Sequence, residues 1–263
     1  MKVKGDALAV VQLYPDLLGT YGDSGNAVVL AQRLRWRDWP VELVQVFAGE
    51  AVPVGGDFYV VGGGEDLPQI LAAAGLLGRD GEPSPLHKAV DGGAAVLAVC
   101  AGFQILGTSY VGPDGAEHSG VGLLDCRTTV GEGPRAVGEL VVLASEVPVL
   151  TGYENHAGRT TLGSSAQAAG RVISGVGNGD GVEGCRAGRI WATYLHGPVL
   201  ARNPALADLV LSWVVGDLEP LDDSDVDLLR TERLRAAGGQ ASKGSRRGLL
   251  PTRGPFGSGP AKP

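Results

Sequence analysis

The stretch that decides the fold is residues 94–107, Ala-Ala-Val-Leu-Ala-Val-Cys-Ala-Gly-Phe-Gln-Ile-Leu-Gly. Its apolar first six residues predict a buried strand, and the residues from Gly102 onward predict a helix. Cys100 therefore lies at a sharp strand-to-helix turn, a nucleophile elbow. The helix N-terminus favours its thiolate, and the Ala101 N–H is placed to stabilise an oxyanion. Taken alone, the segment also fits a buried cysteine that only fills space.

Strand-like and helix-like segments alternate on both sides of this elbow. Strands are predicted over residues 8–13, 41–47, 58–61 and 94–99, and helices over residues 26–37, 66–77, 84–91, 102–110 and 204–215. Because such alternation builds parallel sheets covered by helices, we predict an α/β fold with a mostly parallel central sheet. Strand-like runs at 136–143, 171–174 and 189–194 predict later strands and hairpins of the same domain, which spans residues 1–235.

Residues 236–263 differ from the rest of the chain in composition. They are rich in Gly, Ser and Pro and carry Lys and Arg but no acidic residue. This composition predicts a disordered basic tail. Such a tail either binds a partner or is simply a solvated end.

The overall composition is that of a soluble globular protein, with 44% hydrophobic and 19% charged residues. A formal net charge of −7 argues against a nucleic acid or an anionic membrane surface as the main partner. The three cysteines form no C-x-x-C pair, so we expect no metal site and no disulfide framework, and Cys126 and Cys185 are predicted to be structural. With no signal peptide or membrane span expected, a reducing cytoplasm is the predicted location.

His196 is the second candidate catalytic residue. The predicted strand over residues 189–194 ends just before it, and Gly197 and Pro198 follow. A histidine beside Cys100 would take the thiol proton and return it to the leaving amine. The alternative for His196 alone is a structural histidine with satisfied hydrogen bonds.

Three glycines, Gly62 to Gly64, follow the predicted strand over residues 58–61. Such a turn leaves N–H groups bare and allows close substrate approach, so Gly64 is predicted to complete the oxyanion hole with Ala101. A phosphate or dinucleotide loop is the competing interpretation. Because no G-x-x-x-x-G-K-[ST] motif is present, we do not expect ATP to bind through a P-loop.

The glycine turn, the elbow and the histidine, in this order and spacing, resemble the class I, triad-type glutamine amidotransferases. Residues 152–160, Gly-Tyr-Glu-Asn-His-Ala-Gly-Arg-Thr, are similar to the G-Y-E-x-H-x-G-R-T element of the cobyric acid synthase-like branch. Residues 13–26, Leu-Tyr-Pro-Asp-Leu-Leu-Gly-Thr-Tyr-Gly-Asp-Ser-Gly-Asn, are similar to the start of GatD-like glutaminase subunits. The resemblance covers roughly residues 7 to 215.

The resemblance implies a subunit that hydrolyses L-glutamine and passes ammonia to a MurT-like, Mur ligase-like subunit in a heterodimer. That partner uses ATP to amidate the D-glutamate α-carboxylate of lipid II to D-isoglutamine, at the inner face of the membrane, and no cofactor is implied for this chain. The resemblance also implies that Arg135, or failing that Arg127, governs access to the glutamine site. Gln104 is a further predicted substrate-binding residue.

One departure from the wider class concerns the third member of the triad. Most members carry a Glu two residues after the histidine, where this chain has Pro198. The resemblance implies that the partner supplies the carboxylate, so we expect this chain to show no third member and to need its partner for full activity. Asp16 and Asp23 are interpreted as turn and helix-start residues.

Three alternative functions remain open on the sequence. The chain could supply ammonia to another amidating synthetase, such as a cobyrinate-type enzyme. It could be a cysteine peptidase on the same scaffold. It could also be a non-catalytic binding module.

Overall fold

The computed structural model of the protein describes residues 2–78, 82–112 and 114–245. In chain order, its strands are β1 (Leu8–Leu13), β2 (Val41–Val46), β3 (Phe58–Val61), β4 (Ala95–Val99), β5 (Ser109–Val111), β6 (Glu117–Ser119), β7 (Cys126–Val130), β8 (Ala136–Ala144), β9 (Leu150–His156), β10 (Gly158–Leu162), β11 (Gly170–Ser174), β12 (Val182–Glu183), β13 (Cys185–Ala187) and β14 (Ile190–Thr193). The helices are α1 (Gly25–Arg35), α2 (Asp66–Leu76), α3 (Pro85–Asp91), α4 (Ala101–Leu106), α5 (Val199–Arg202), α6 (Pro204–Val215) and α7 (Ser224–Ser245).

The central sheet has six strands in the order β13-β14-β4-β3-β1-β2. All neighbouring pairs are parallel except β13 with β14. Every residue of β3, β4 and β14 is buried, as expected for strands covered on both faces. The predicted α/β class with a mostly parallel central sheet is confirmed.

Strands β5 to β12 form two smaller sheets, whereas β13 and β14 join the central one. One has the order β10-β7-β5-β6 and the other β12-β11-β8-β9. The predicted helix over residues 102–110 is wrong in its second half, because α4 ends at Leu106 and residues from Ser109 form β5. Gly107 takes an extended conformation that ends the helix, and β5 then pairs with β6 and β7.

Helix α7 was not predicted from the sequence. It runs from Ser224 to Ser245 and so extends into the segment predicted to be a disordered tail, whereas residues 246–263 lie outside the described residues. Arg230 on α7 donates to the Val149 carbonyl, and Asp223 just before the helix pairs with buried Arg33 of α1. Over the described parts of the chain, no helix is both long enough and apolar enough to cross a membrane.

Candidate active site

The sheet order brings four loops to one edge. Strands β14, β4, β3 and β1 are consecutive parallel neighbours, so the segments that follow their carboxyl ends lie side by side. These segments carry His196, Cys100, the Gly62–Gly64 turn and Asp23 respectively.

Cys100 forms the elbow that the sequence predicts. Its backbone has φ 51° and ψ −104°, a strained left-handed conformation that turns the chain sharply from β4 into α4. The Cys100 N–H donates to the Thr193 carbonyl at 2.8 Å. A side chain on Gly102 would lie 2.5 Å from the Val61 carbonyl oxygen, so only glycine allows this close approach of α4 to β3.

His196 follows β14, the strand that pairs with β4 with Thr193 opposite Val99. It leaves the sheet and exchanges backbone hydrogen bonds with Tyr153 of β9, at 2.7 Å and 3.2 Å. The residue is fully buried. The predicted cysteine and histidine therefore lie at neighbouring strand ends.

Asp23 is the partner of His196 that the sequence prediction missed. Its Oδ2 lies 2.7 Å from His196 Nδ1 and accepts a hydrogen bond from the Gly63 N–H at 2.9 Å. Its side chain does not cap α1. Asp23 does lie in the turn before α1, where its carbonyl accepts from the Asn26 N–H, but its side chain contacts His196 and does not cap the helix. The prediction that the chain shows no third member is therefore wrong.

The electrostatics favour a charged pair here. Burial works against protonation of His196, but the hydrogen bond to Asp23 and the negative charge of a Cys100 thiolate outweigh it and raise the pKa of His196 to about 10. The Asp23 Oδ1 is buried and has no hydrogen-bond partner among the described residues. A buried carboxylate with so few donors depends on a neighbouring cation, which the imidazolium supplies.

Two backbone N–H groups beside Cys100 are free to bind an oxyanion. Within the described residues, neither the Gly64 N–H nor the Ala101 N–H makes a hydrogen bond. By contrast, the Gly63 N–H is used by Asp23, and the Gly62 carbonyl accepts from the Gly102 N–H at 3.1 Å. Each residue of the glycine turn therefore has a different role: the Gly62 carbonyl binds the elbow, the Gly63 N–H binds Asp23, and the Gly64 N–H faces the cavity.

A cavity of about 280 Å³ opens beside Cys100. The four predicted substrate-binding residues Gly64, Ala101, Gln104 and Arg135 all line it. Arg127, the fallback for Arg135, is not among the lining residues and instead pairs with Glu117 at 3.1 Å on the surface. The geometry favours Arg135 over Arg127.

One wall of this cavity is a chain of buried polar groups. Gln69 donates to the Gln104 carbonyl oxygen at 2.8 Å, and the Gln104 amide donates to the Tyr194 hydroxyl at 3.3 Å. These contacts orient the Gln104 amide toward one rotamer. Gln69 lines the cavity but was not predicted, since a glutamine within an apolar helix carries no motif of its own.

The mouth of the cavity is crossed by a second chain of contacts. Arg135 donates to both the side-chain and the main-chain oxygen of Asn155, the latter at 3.0 Å. Asn155 in turn donates from its amide nitrogen to the Tyr21 hydroxyl. Tyr21 and Asn155 were not predicted as site residues.

Glu154 and His156 form a buried pair at the cavity, which His156 lines, with His156 Nε2 3.3 Å from Glu154 Oε2. Glu154 also accepts the N–H groups of Val176 and Gly177, so it holds that loop in place. The His156 ring stacks on Tyr194 with centroids 3.8 Å apart. The pair therefore holds the loop at residues 176–177 in place beside the site.

Cys126 and Cys185 lie outside the site. Burial raises the pKa of each thiol to about 12, so both are neutral at physiological pH. No group of three or more His, Cys, Asp or Glu residues suited to a metal ion occurs in the part of the chain that the structure describes.

Comparison with known proteins identifies the family of this chain. The model of the CobB/CobQ-like glutamine amidotransferase domain matches residues 9–204. Lipid II isoglutaminyl synthase (glutamine-hydrolyzing) subunit GatD of Staphylococcus aureus (strain N315) is 34% identical over 207 residues, covering 78% of this chain and 83% of that protein. The subunit of the same name from Streptococcus pneumoniae (strain ATCC BAA-255 / R6) is 31% identical over 206 residues, covering 76% and 77%.

Among solved structures, the crystal structure of a glutamine amidotransferase superimposes with a TM-score of 0.53 at 20% identity, covering 78% of this chain and 98% of the other, which supports the shared fold. The resemblance inferred from the sequence is confirmed, and the chain belongs to the CobB/CobQ-like glutamine amidotransferase family.

Proposed function

We propose that this chain hydrolyses L-glutamine at Cys100 and delivers the ammonia to an ATP-using, Mur ligase-like partner in the cytoplasm. That partner amidates the D-glutamate α-carboxylate of lipid II to D-isoglutamine. The observation that carries the hydrolytic part is the Asp23–His196 contact of 2.7 Å at the strand end beside the Cys100 elbow. The names of the two GatD relatives, which match most of this chain, support a lipid II acceptor and a second subunit. That the second subunit is Mur ligase-like and uses ATP is part of the proposal.

The hydrogen bond to Asp23 decides which nitrogen of His196 reacts. With Nδ1 donating to the carboxylate, the buried Nε2 is left to accept the Cys100 proton, giving a thiolate and an imidazolium. The thiolate attacks the side-chain carbonyl carbon of glutamine, and the carbonyl oxygen becomes an oxyanion bound by the N–H groups of Gly64 and Ala101.

Collapse of this intermediate releases ammonia. The imidazolium gives its proton to the departing nitrogen, and the C–N bond breaks to leave a γ-glutamyl thioester on Cys100. A water molecule then gives a proton to Nε2 and attacks the thioester. Glutamate leaves, and the proton returns to the thiol.

Glutamine binding would use the walls of the cavity. The Arg135 guanidinium is a cation at the cavity mouth and suits the α-carboxylate of the substrate. The Gln104 amide, oriented by Gln69 and Tyr194, offers a directed polar contact beside the nucleophile.

The test is glutamate and ammonia release by the purified chain, compared with its Cys100→Ala variant. We expect the wild type to release both in equal amounts and the variant to release neither. Covalent capture of 6-diazo-5-oxo-norleucine at Cys100 would identify the nucleophile independently. Peptide cleavage without glutamine hydrolysis would favour the peptidase alternative.

The partner assignment has its own test. The chain is used to capture proteins from its native cell, and a Mur ligase-like subunit that amidates lipid II with glutamine as nitrogen donor is the expected result. A captured cobyrinate-type synthetase would overturn the lipid II assignment but leave the glutaminase chemistry intact.

A further inference from the structure

Tyr21 lies over His196 in an unusual backbone conformation. Its φ of 61° and ψ of 18° place it in the left-handed region, which is unfavourable for a residue with a bulky side chain. Glycine or asparagine would occupy this turn position at less cost. Contacts made by the tyrosine side chain must therefore offset the strain.

The first contact is between rings. The Tyr21 ring meets the His196 imidazole edge-on, with centroids 4.9 Å apart and an interplanar angle of 62°. Tyr21 is 44% exposed whereas His196 has no exposed surface, so the tyrosine is the outer layer that separates the histidine from solvent. Tyr153 flanks Tyr21 at a centroid distance of 6.1 Å.

The second contact is the chain of hydrogen bonds across the cavity mouth. The Tyr21 hydroxyl accepts from the Asn155 amide, and Asn155 accepts from Arg135. Arg135 and Asn155 both line the cavity that contains Cys100. Tyr21 thus contacts His196 with its ring and is linked through its hydroxyl to Asn155 and Arg135 at the cavity mouth.

We propose that Tyr21 is a positioning residue for His196: its ring closes the solvent-facing side of the imidazole, and its hydroxyl, through Asn155, ties that cover to Arg135 at the cavity mouth. The inference rests on the proposed glutaminase function and adds a residue to it. By keeping water away, the Tyr21 ring strengthens the electrostatic interaction between Asp23 and His196, which holds the imidazole in place.

The ring and the hydroxyl have separable roles, so different substitutions test them. Tyr21→Asn removes the ring but keeps a residue that tolerates the left-handed backbone. Tyr21→Phe keeps the ring and removes the hydroxyl, and Asn155→Ala breaks the link from its other end. Phe47, a residue that is also 44% exposed but lies outside the site, provides the control Phe47→Ala.

The measurement is kcat and KM for glutamine hydrolysis by the full chain, with the thermal midpoint of each variant. For Tyr21→Asn we expect kcat to fall by about 10- to 100-fold, as when a reacting group loses its orientation. For Tyr21→Phe and Asn155→Ala we expect kcat to change little and KM to rise about fivefold, the effect of one neutral hydrogen bond. The double variant Tyr21→Phe/Asn155→Ala should be no worse than either single one.

A wild-type kcat in a folded Tyr21→Asn variant, or equal losses of kcat in Tyr21→Asn and Tyr21→Phe, would overturn the role of the ring. Additive effects of Tyr21→Phe and Asn155→Ala on KM would overturn the proposed connection from Tyr21 through Asn155 to Arg135. This second test does not depend on whether Tyr21→Asn folds. If the wild type hydrolyses no glutamine, the proposed function fails instead, so the two failures are distinguishable.

Discussion

The Oδ2 of Asp23 lies 2.7 Å from the Nδ1 of His196, although 173 positions separate the two residues in the chain. This contact gives the histidine an acidic partner from the same polypeptide. The chain therefore holds a complete cysteine–histidine–aspartate arrangement, and we expect it to hydrolyse glutamine in isolation.

Replacing Asp23 with asparagine should lower kcat by about 10²- to 10⁴-fold, because the amide neither stabilises the imidazolium nor fixes its tautomer. Asp16→Asn is the matched control from the same loop, since Asp16 is exposed and accepts the Ala48 N–H away from His196. Steady-state kinetics on the isolated chain would measure both. Full activity in the Asp23→Asn variant would show that the base takes its carboxylate from elsewhere.

Replacing Arg135 with alanine should raise the KM for glutamine by about 10- to 100-fold, the effect of losing a hydrogen bond to a charged group. Arg127→Ala should leave KM unchanged, because Arg127 pairs with Glu117 outside the cavity. Initial rates over a range of glutamine concentrations distinguish the two arginines. An increase in KM in the Arg127 variant alone would reverse the assignment.

The elbow should not tolerate a side chain at Gly102. A methyl group there would meet the Val61 carbonyl oxygen at 2.5 Å and the Val61 carbonyl carbon at 2.9 Å, and these backbone atoms have little room to relax. We expect Gly102→Ala to reduce the free energy of unfolding by about 1–3 kcal/mol, the range for overpacked sites. Gly55→Ala is the control, since its methyl group would enter open space, and denaturant melts of both variants give the comparison.

Glu183 should make the stability depend on pH. The carboxyl is fully buried, where it accepts from the Thr193 hydroxyl and the Tyr194 N–H. Burial raises its pKa from 4.5 to about 7, so folding favours the neutral form. The stability linked to this group is present below pH 4.5 and is lost as the pH rises through about 7.

The Glu183→Gln substitution tests this linkage because glutamine keeps a neutral acceptor for both donors. Relative to wild type, the variant should gain about 3 kcal/mol in unfolding free energy between pH 4.5 and pH 8. Exposed Glu42 on β2 offers the control Glu42→Gln. Parallel pH profiles of the wild type and the Glu183→Gln variant would contradict the assignment.

The elements that sequence analysis predicts well are those with local causes. The apolar runs of β1 and β3 and the helix α6 occur at the predicted bounds, because burial of a continuous apolar segment is visible in the residues themselves. The Cys100 elbow is equally local, since strand, nucleophile and Gly102 lie within nine residues of one another along the stretch from 94 to 102.

Asp23 was missed for the opposite reason. Its loop, with glycines on both sides, has the composition of a turn, and only the sheet order brings it against His196. Tyr21 and Asn155 were missed in the same way, because their contact joins the loop after β1 to strand β9. The separate small sheets also depend on long-range pairing, for which short strands carry little signal.

The position of β14 has a consequence for the order in which the protein is made and folds. This strand leaves the ribosome after β1 to β4 yet lies inside the central sheet, between β4 and β13. Until it has been synthesised, β4 has an unpaired edge, and an unpaired edge invites association with other chains. Because His196 directly follows this strand, a nascent chain has neither a paired β4 edge nor the catalytic base until synthesis has passed residue 196. Pairing of the β4 edge and completion of the Cys100–His196 pair therefore depend on the same segment of the chain.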